Sequence, residues 1–393
     1  MFASGCLLTL PMTVTLLVRY VFVRCGTATG SRPRIKEWNM RRTANGVLIG
    51  VVALSVLTAC AEEPTKAVQG KDSTGKVAFL MPDLASTRYE QYDAPLFKKR
   101  MAELCSGCKV IYQNANSDAS LQQQQANSAM TQGVKVIVLD PVDSTAAATI
   151  VQTAQSQGVK VVAYDRPIVA KPADFYVSFD NEAIGASIGQ SLVDHLKATR
   201  AKGGLLEVNG SPTDAAAGLI KKGIHKAVDD SGFDLLAEYD APKWSPEKAQ
   251  QWVSGQIAQY KGRIAGVVAA NDGTGGGTIA AFKAADVQVP PVTGNDAELA
   301  AVQRIIAGDQ YNTISKPIKT VAGAAANVAY ELMRGKKPKA DTTLFDTPSQ
   351  LFQPTVVTQE NLKKVIFGPD GVLKTKDVCT KQYVGDCRRL GIK

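Results

Sequence analysis

Residues 134–166 read VKVIVLDPVDSTAAATIVQTAQSQGVKVVAYDR, and the fold follows from this stretch. Two runs dense in Val and Ile, 136–139 and 161–164, flank a longer segment of Ala, Thr, Ile and Gln that closes at Gly158. Short apolar runs bounding a helix-length segment, with a glycine at the helix C-terminus, are the signature of parallel strands joined by a crossover helix. Each run ends on polar residues: Asp140 after the first, Asp165 and Arg166 after the second.

The same alternation extends on both sides. Strands are expected at 77–80 and 110–112, and helices at 92–104, 121–132 and 144–157. The pattern then restarts, with strands expected at 204–208, 235–239, 266–269 and 292–294 and crossovers at 215–230, 246–259 and 278–284. The expected fold class is therefore α/β, with two doubly wound parallel sheets in sequence. Asn271 and Asp272, then Asn295 and Asp296, again place polar side chains at strand ends. Open parallel sheets bind ligands just outside the carboxyl ends of their strands, so two such sheets face to face would enclose a polar cleft.

A chain of 393 residues with 45% hydrophobic content has material for about two domains and not for a polytopic membrane protein. The formal charge of +9 suggests an anionic partner until its location is considered. Seven basic residues and one acid precede Cys60, leaving 38 basic against 35 acidic residues in the remainder. No basic stripe interleaved with aromatics is visible there, so nucleic acid is not an expected partner.

Residues 40–60, MRRTANGVLIGVVALSVLTAC, have a basic start at Arg41 and Arg42 and an apolar run of eleven, 47–57. That is the length of an export signal and too short to span a bilayer comfortably. Leu57-Thr58-Ala59-Cys60 resembles the lipobox of bacterial lipoproteins, which makes Cys60 the expected lipidation site and the lipid anchor the only expected membrane contact. The alternative is an uncleaved anchor helix, which also leaves the body outside. A second apolar stretch at 7–23 precedes this leader, so translation is expected to begin at Met40. Residues 61–76, polar and turn-rich, read as a flexible tether. Gly70 to Lys76 fits GxxxxGK in form, but Val77 replaces the metal-binding hydroxyl and the motif precedes a strand instead of following one.

Beyond the tether lie two close cysteine pairs, Cys105 with Cys108 and Cys379 with Cys387, both readable as disulfides in an exported protein. Cys105-x-x-Cys108 could instead be a redox or metal motif, but no nearby His or third Cys completes one. The two histidines, His195 and His225, lie in helical segments without a Cys or carboxylate at metal-ligand spacing, and no metal site is expected. No GxSxG and no GxGxxG after a strand is present, so neither nucleophilic hydrolysis nor a nucleotide cofactor is supported. The acids Asp140, Asp165, Asp272 and Asp296 leave a paired-carboxylate enzyme open on spacing alone. Their neighbours Arg166 and Asn271 argue for binding, because fixed donors and acceptors in mixture suit the hydroxyls of a neutral sugar. Trp244, in a loop ahead of a helix capped by Ser245, could stack on a sugar's C–H face or simply pack.

At this point the sequence resembles a known family. AYDRPI (163–168), DFYVSFDN (174–181), GSPTD (210–214), KWSPEKA (243–249), VVAANDGTGGGTIAA (267–281), TGNDAELAAVQRIIAG (293–308), SKPI (315–318) and KADTTL (339–344) are similar to the type I periplasmic sugar-binding proteins of bacterial ABC importers, xylose-binding branch, over residues 77–361. The resemblance implies two α/β domains joined by a three-strand hinge, divided as 77–181 plus 317–350 and 182–316 plus 351–393. It implies no catalysis and no cofactor, one monosaccharide ligand, D-xylose first, an ABC permease with its ATPase subunit as partners, and a monomer. Carried over residue by residue, the sugar ligands would be Arg88, Tyr89, Asp165, Arg166, Trp244, Asn271, Asp296 and Lys316. Three positions depart from the family pattern: Tyr89 stands for Trp, Ser315 for Tyr, and Ala215-Ala216 for Asn-Asn. Each missing polar contact can shift discrimination by about 1–3 kcal/mol, so ribose, arabinose, galactose and glucose stay open as ligands. A sensory protein of the same fold is the competing reading. A transcription repressor would need a helix-turn-helix where the leader stands.

Overall fold

The computed structural model describes residues 74–369 and 371–392. The leader, Cys60 and all of the tether before Thr74 lie outside them.

The first sheet takes its strands from β1 Lys76–Met81, β2 Lys109–Asn114, β3 Val136–Leu139, β4 Lys160–Tyr164 and β5 Phe175–Phe179, with α1 Ala94–Leu104, α2 Ala119–Thr131 and α3 Ala148–Ser156 between them. Helix α4 Asn181–Ala198 leads to the second sheet, β6 Gly204–Asn209, β7 Leu235–Asp240 and β8 Ile264–Ala269, with crossovers α5 Ala215–Val228 and α6 Pro246–Tyr260, followed by α7 Asp272–Ala284. Then come α8 Leu299–Ala307, β9 Thr313–Ser315, α9 Ile318–Met333, β10 Thr342–Leu344, β11 Thr347–Phe352, β12 Thr355–Val357, α10 Leu362–Ile366, α11 Thr375–Val378 and α12 Val384–Arg389.

Strand order in the first sheet is β10-β11-β5-β4-β3-β1-β2, parallel except for the β10–β11 hairpin. The second sheet is β7-β6-β8, parallel, extended by a single bridge from Val267 to Val292. Helices cover both faces of the first sheet, so β3, VIVL, is buried at every residue and shows no polar alternation. The order 2-1-3 recurs in both sheets and creates a switch point beside β1 in one and β6 in the other, where loops diverge and a crevice opens. Chain segments following β1, β3, β4, β6 and β8 all run into these crevices.

Three passages link the two lobes. β5 of the first sheet runs into α4, which packs on α5 and β8; β9 runs through Lys316 and Pro317 into α9, which packs on α1 and β3–β5; and β11 runs into β12, which pairs antiparallel with β9. Leu351 and Phe352 still pair with Ser178 and Phe179, so the third passage begins two residues beyond the expected 350/351 boundary. The tail from 362 onward packs α10, α11 and α12 against Val302, Ile305 and Ile306 of α8, with Cys379 bonded to Cys387. Cys105 and Cys108 are bonded to each other at the end of α1. Among the described residues no helix is long and apolar enough to cross a membrane.

Several expected elements shift for identifiable reasons. Residues 292–294 form only the Val292 bridge, because Pro290 and Pro291 just before it have no N–H to give a ladder. Helix α7 starts at Asp272, six residues earlier than expected. Its glycines hide it in sequence, but Asn271 and Thr274 form a reciprocal cap that starts it. Strand β1 takes in Lys76, which the tether was expected to keep. The segment expected as helix from 92 opens with a wider π turn, Tyr89–Asp93, ahead of α1. Helices α4 and α5 touch through glycine: a Cβ at Gly185 would lie 1.8 Å from the Ile220 carbonyl oxygen.

Candidate functional site

Arg88 is carried into the crevice beside β1 by the loop after that strand. It is fully buried, and four carboxylate contacts hold it. Its Nε and Nη2 bond Asp93 at 3.2 and 3.0 Å, Nη2 lies 3.2 Å from Asp165 Oδ1, and Nη1 lies 3.4 Å from Asp296 Oδ1 of the other lobe. Next to it, the Tyr89 hydroxyl donates to Asp165 Oδ2 at 2.9 Å.

Asp165 follows β4 at φ +56°, a left-handed conformation costly for a non-glycine residue. The strain is held by Tyr176 and Ser178, whose hydroxyls both donate to the Asp165 carbonyl. Burial pushes the Asp165 carboxyl up. Arg88, Lys316, the Tyr89 hydroxyl and Arg166 together outweigh burial and hold it well below the usual carboxylate range. Arg166 is shared among Asp83, Asp140 at 3.6 Å and Asp214 at 3.1 Å, the last again from the second lobe. Asp140 is completely buried and neither of its oxygens has a hydrogen bond; burial pushes its carboxyl far up, only partly opposed by Arg166.

From the second lobe, Asp214 caps α5 by accepting from Ala216 N–H at 2.8 Å and also accepts from the Trp244 indole N–H at 3.0 Å. Trp244 sits at φ +57° with its ring over Gly210, where an added Cβ would fall 2.2 Å from the ring. The indole is therefore fixed on both its polar and its flat side. Asn271 spends its side-chain oxygen on Thr274 at 2.8 Å, which leaves its NH2 as the free half of the amide. Asp296, at φ +105°, meets Lys316 Nζ at 2.9 Å.

These side chains border one narrow cavity between the lobes. Of the expected ligands, Tyr89, Asp165, Arg166, Trp244, Asn271, Asp296 and Lys316 border it, and Arg88 stands directly behind Asp165 and Asp296. Asn181, Asp214 and Asn295 border it as well and were not among the expected ligands. Asn181 Nδ2 and Asn295 Oδ1 are buried with no hydrogen-bond partner in the protein, a donor and an acceptor at the cavity wall. Both had a signal in sequence: each ends or adjoins a polar cluster at a strand end, FDN and GND. Of the departing positions, Tyr89 and Ala216 border the cavity, whereas Ser315 borders a second one roofed by Leu373 and the C-terminal tail. Asp272, also at a strand end, turns away to Thr313 and Gln310 and is pushed up to about 7 by burial.

Two further contact sets join the lobes. Thr87 N–H donates to Glu298 Oε1 at 2.9 Å. Ser144 N–H donates to Thr213 O at 2.9 Å, and Ser144 Oγ accepts from Ala215 N–H at 3.0 Å. This is a closed arrangement, with cations and carboxylates alternating around an interior of hydrogen-bonding groups. It can grip a neutral polyhydroxylated molecule from both sides.

Comparison with known proteins agrees. Residues 77–337 match the family model described as periplasmic binding protein domain. The chain is 34% identical over 332 residues to the D-xylose-binding periplasmic protein of Escherichia coli, covering 82% of this chain and 98% of that protein. It is 30% identical to a multiple sugar-binding periplasmic receptor of Rhizobium radiobacter, covering 74% and 89%. Among solved structures, an ABC transporter solute-binding protein of Clostridium phytofermentans with bound β-D-glucose superposes with a TM-score of 0.70 at 27% identity, covering 77% of this chain and 99% of that one. These relatives are binding proteins, not enzymes.

Proposed function

The chain belongs to the periplasmic binding proteins, in the sugar-binding group of xylose-binding type, and from that premise we propose that its cleft closes on one molecule of D-xylose and delivers it to an ABC permease. The observation that carries this reading is the bridge Asp165–Arg88–Asp296, at 3.2 and 3.4 Å, which joins the two lobes at the wall of the cavity. A sugar hydroxyl placed among these groups gains charge-assisted hydrogen bonds from both lobes at once, and only when they are closed. Ligand thus shifts an open–closed equilibrium toward the form that a permease would recognise. Hinge closure would occur about the passages at Asp180, Lys316 and Gln353. Lipid attachment at Cys60 would hold the protein at the outer face of the membrane, where a monomer can meet the permease and its ATPase subunit.

Trp244 supplies the flat apolar face that sugar C–H groups stack on, held ready by Asp214. Asn181, Asn271 and Asn295 supply neutral donors and acceptors that can follow the pattern of hydroxyls. The departing positions that border the cavity, Tyr89 and Ala216, are where preference among sugars would be set. The direct test is Asp296→Ala in equilibrium dialysis with labelled xylose: binding should fall below detection. Full affinity in that variant would remove Asp296 from the site.

A further inference from the structure

Away from the cleft, the second sheet carries an arrangement that sugar binding does not use. Glu207 of β6 and Glu238 of β7 are register partners on neighbouring parallel strands, which sets two carboxylates side by side on one face. Like charges so placed repel. Glu207 is completely buried, and neither of its carboxylate oxygens has a hydrogen-bond partner. Burial pushes its carboxyl up to about 7, with His225 pulling it down and Glu238 pushing it further up.

His225 projects from α5 onto the pair. Its Nε2 lies 3.6 Å from Glu207 Oε1 and 3.1 Å from Glu238 Oε2, while Nδ1 lies 3.1 Å from Asp229 Oδ1 one turn later. A zinc-class ion bonded to N and O ligands at about 2.0–2.1 Å in a tetrahedron needs its donor atoms about 3.3–3.4 Å apart. The two measured separations from Nε2 bracket that value. A carboxylate behind the distal ring nitrogen is the usual orienting partner of a metal-bound imidazole: it takes the Nδ1 proton and leaves the Nε2 lone pair facing the two glutamates. Without a charge between them, that lone pair would confront two acceptors, so the pocket has to hold either a proton or a metal ion.

We propose that Glu207 Oε1, His225 Nε2 and Glu238 Oε2 form a binding site for a first-row divalent cation of the zinc class, with a fourth position open to water on the exposed side. Imidazole with two carboxylates selects such an ion over calcium or magnesium, which take oxygen ligands. Lys221 pairs with Glu238 Oε1 and with Asp240 at 3.1 Å. It leaves Oε2 for the metal and weakens the site by its charge. Sequence spacing gave no sign of the site because its ligands come from three separate elements, β6, α5 and β7. A bound ion ties together the elements whose ends carry Asp214, Ala216 and Trp244.

The test is a Co²⁺ titration of the full chain in detergent without a histidine tag, read by the d–d absorption of tetrahedral cobalt. The expected result is one equivalent bound and displaced by Zn²⁺, lost in His225→Ala and weakened at least tenfold in the half-exposed Glu238→Gln. In Lys221→Met, affinity should rise several-fold, a gain that no misfolded variant would show. Absence of Co²⁺ and Zn²⁺ binding at pH 7.5 overturns the proposal. So does binding of unchanged strength in His225→Ala, which would move it elsewhere, His195 being the other histidine in the chain.

Discussion

Burial pushes the Glu298 carboxyl up to about 8, and Asp296 and Asp272 push it the same way, against the pull of its bond from Thr87. The unfolded chain releases this proton near the ordinary glutamate value, while the folded one keeps it until about pH 8. The unfolded state therefore binds fewer protons between about pH 4 and pH 8, and stability falls as pH rises through that window. Glu298→Gln keeps an acceptor for Thr87 and removes the titration. The stability difference, wild type minus variant, should decline over that window by an amount on the order of a few kcal/mol in urea titrations at several pH values. A difference independent of pH would show that Glu298 ionises normally. At this scale the sequence is unevenly informative. Asp165 and Asp296 stand out in the sequence as polar residues at strand ends and Arg88 only through the resemblance, whereas the strand-end position of Asn181 and Asn295 does not say which of their amide atoms is left without a partner at the cavity.

Helices α4 and α5 meet where Gly185 faces Ile220 and Gly223 faces Glu182, each leaving no room for a Cβ. Alanine is favoured over glycine inside a helix by about 1 kcal/mol, yet at Gly185 the added carbon strikes a backbone oxygen that cannot rotate away. Overpacking of this kind costs about 1–3 kcal/mol and should win. Gly185→Ala should lower the urea midpoint at unchanged slope, whereas a midpoint raised by the helix preference would refute the close contact. Elements were legible where burial or capping leaves a mark. β3 matches its expected bounds because an unbroken VIVL run can be buried on both faces. Serine before proline at 245–246 announces α6 in the same way. β9 and β12, three residues each, are stabilised by pairing with one another across the intervening α9, β10 and β11, and local sequence carries no trace of that.

Two lobes, three passages and one shared cavity make the molecule a clamp. Contacts cross the cleft from Arg88 to Asp296, Arg166 to Asp214, Thr87 to Glu298 and Ser144 to Thr213, and parting the lobes would break them. Small-angle scattering should therefore give a smaller radius of gyration with saturating xylose than without it, and an unchanged radius would contradict closure by ligand. The doubling of the α/β pattern was plain in the sequence, because each half repeats the strand–helix period. Which side chains join the halves was not, because those ion pairs link residues 208 and 48 positions apart. The most direct measurement is isothermal titration calorimetry of the purified protein against xylose, ribose, arabinose, glucose, galactose and inositol. One-to-one binding with xylose strongest is the result predicted; no heat with any of the six would contradict a sugar clamp altogether.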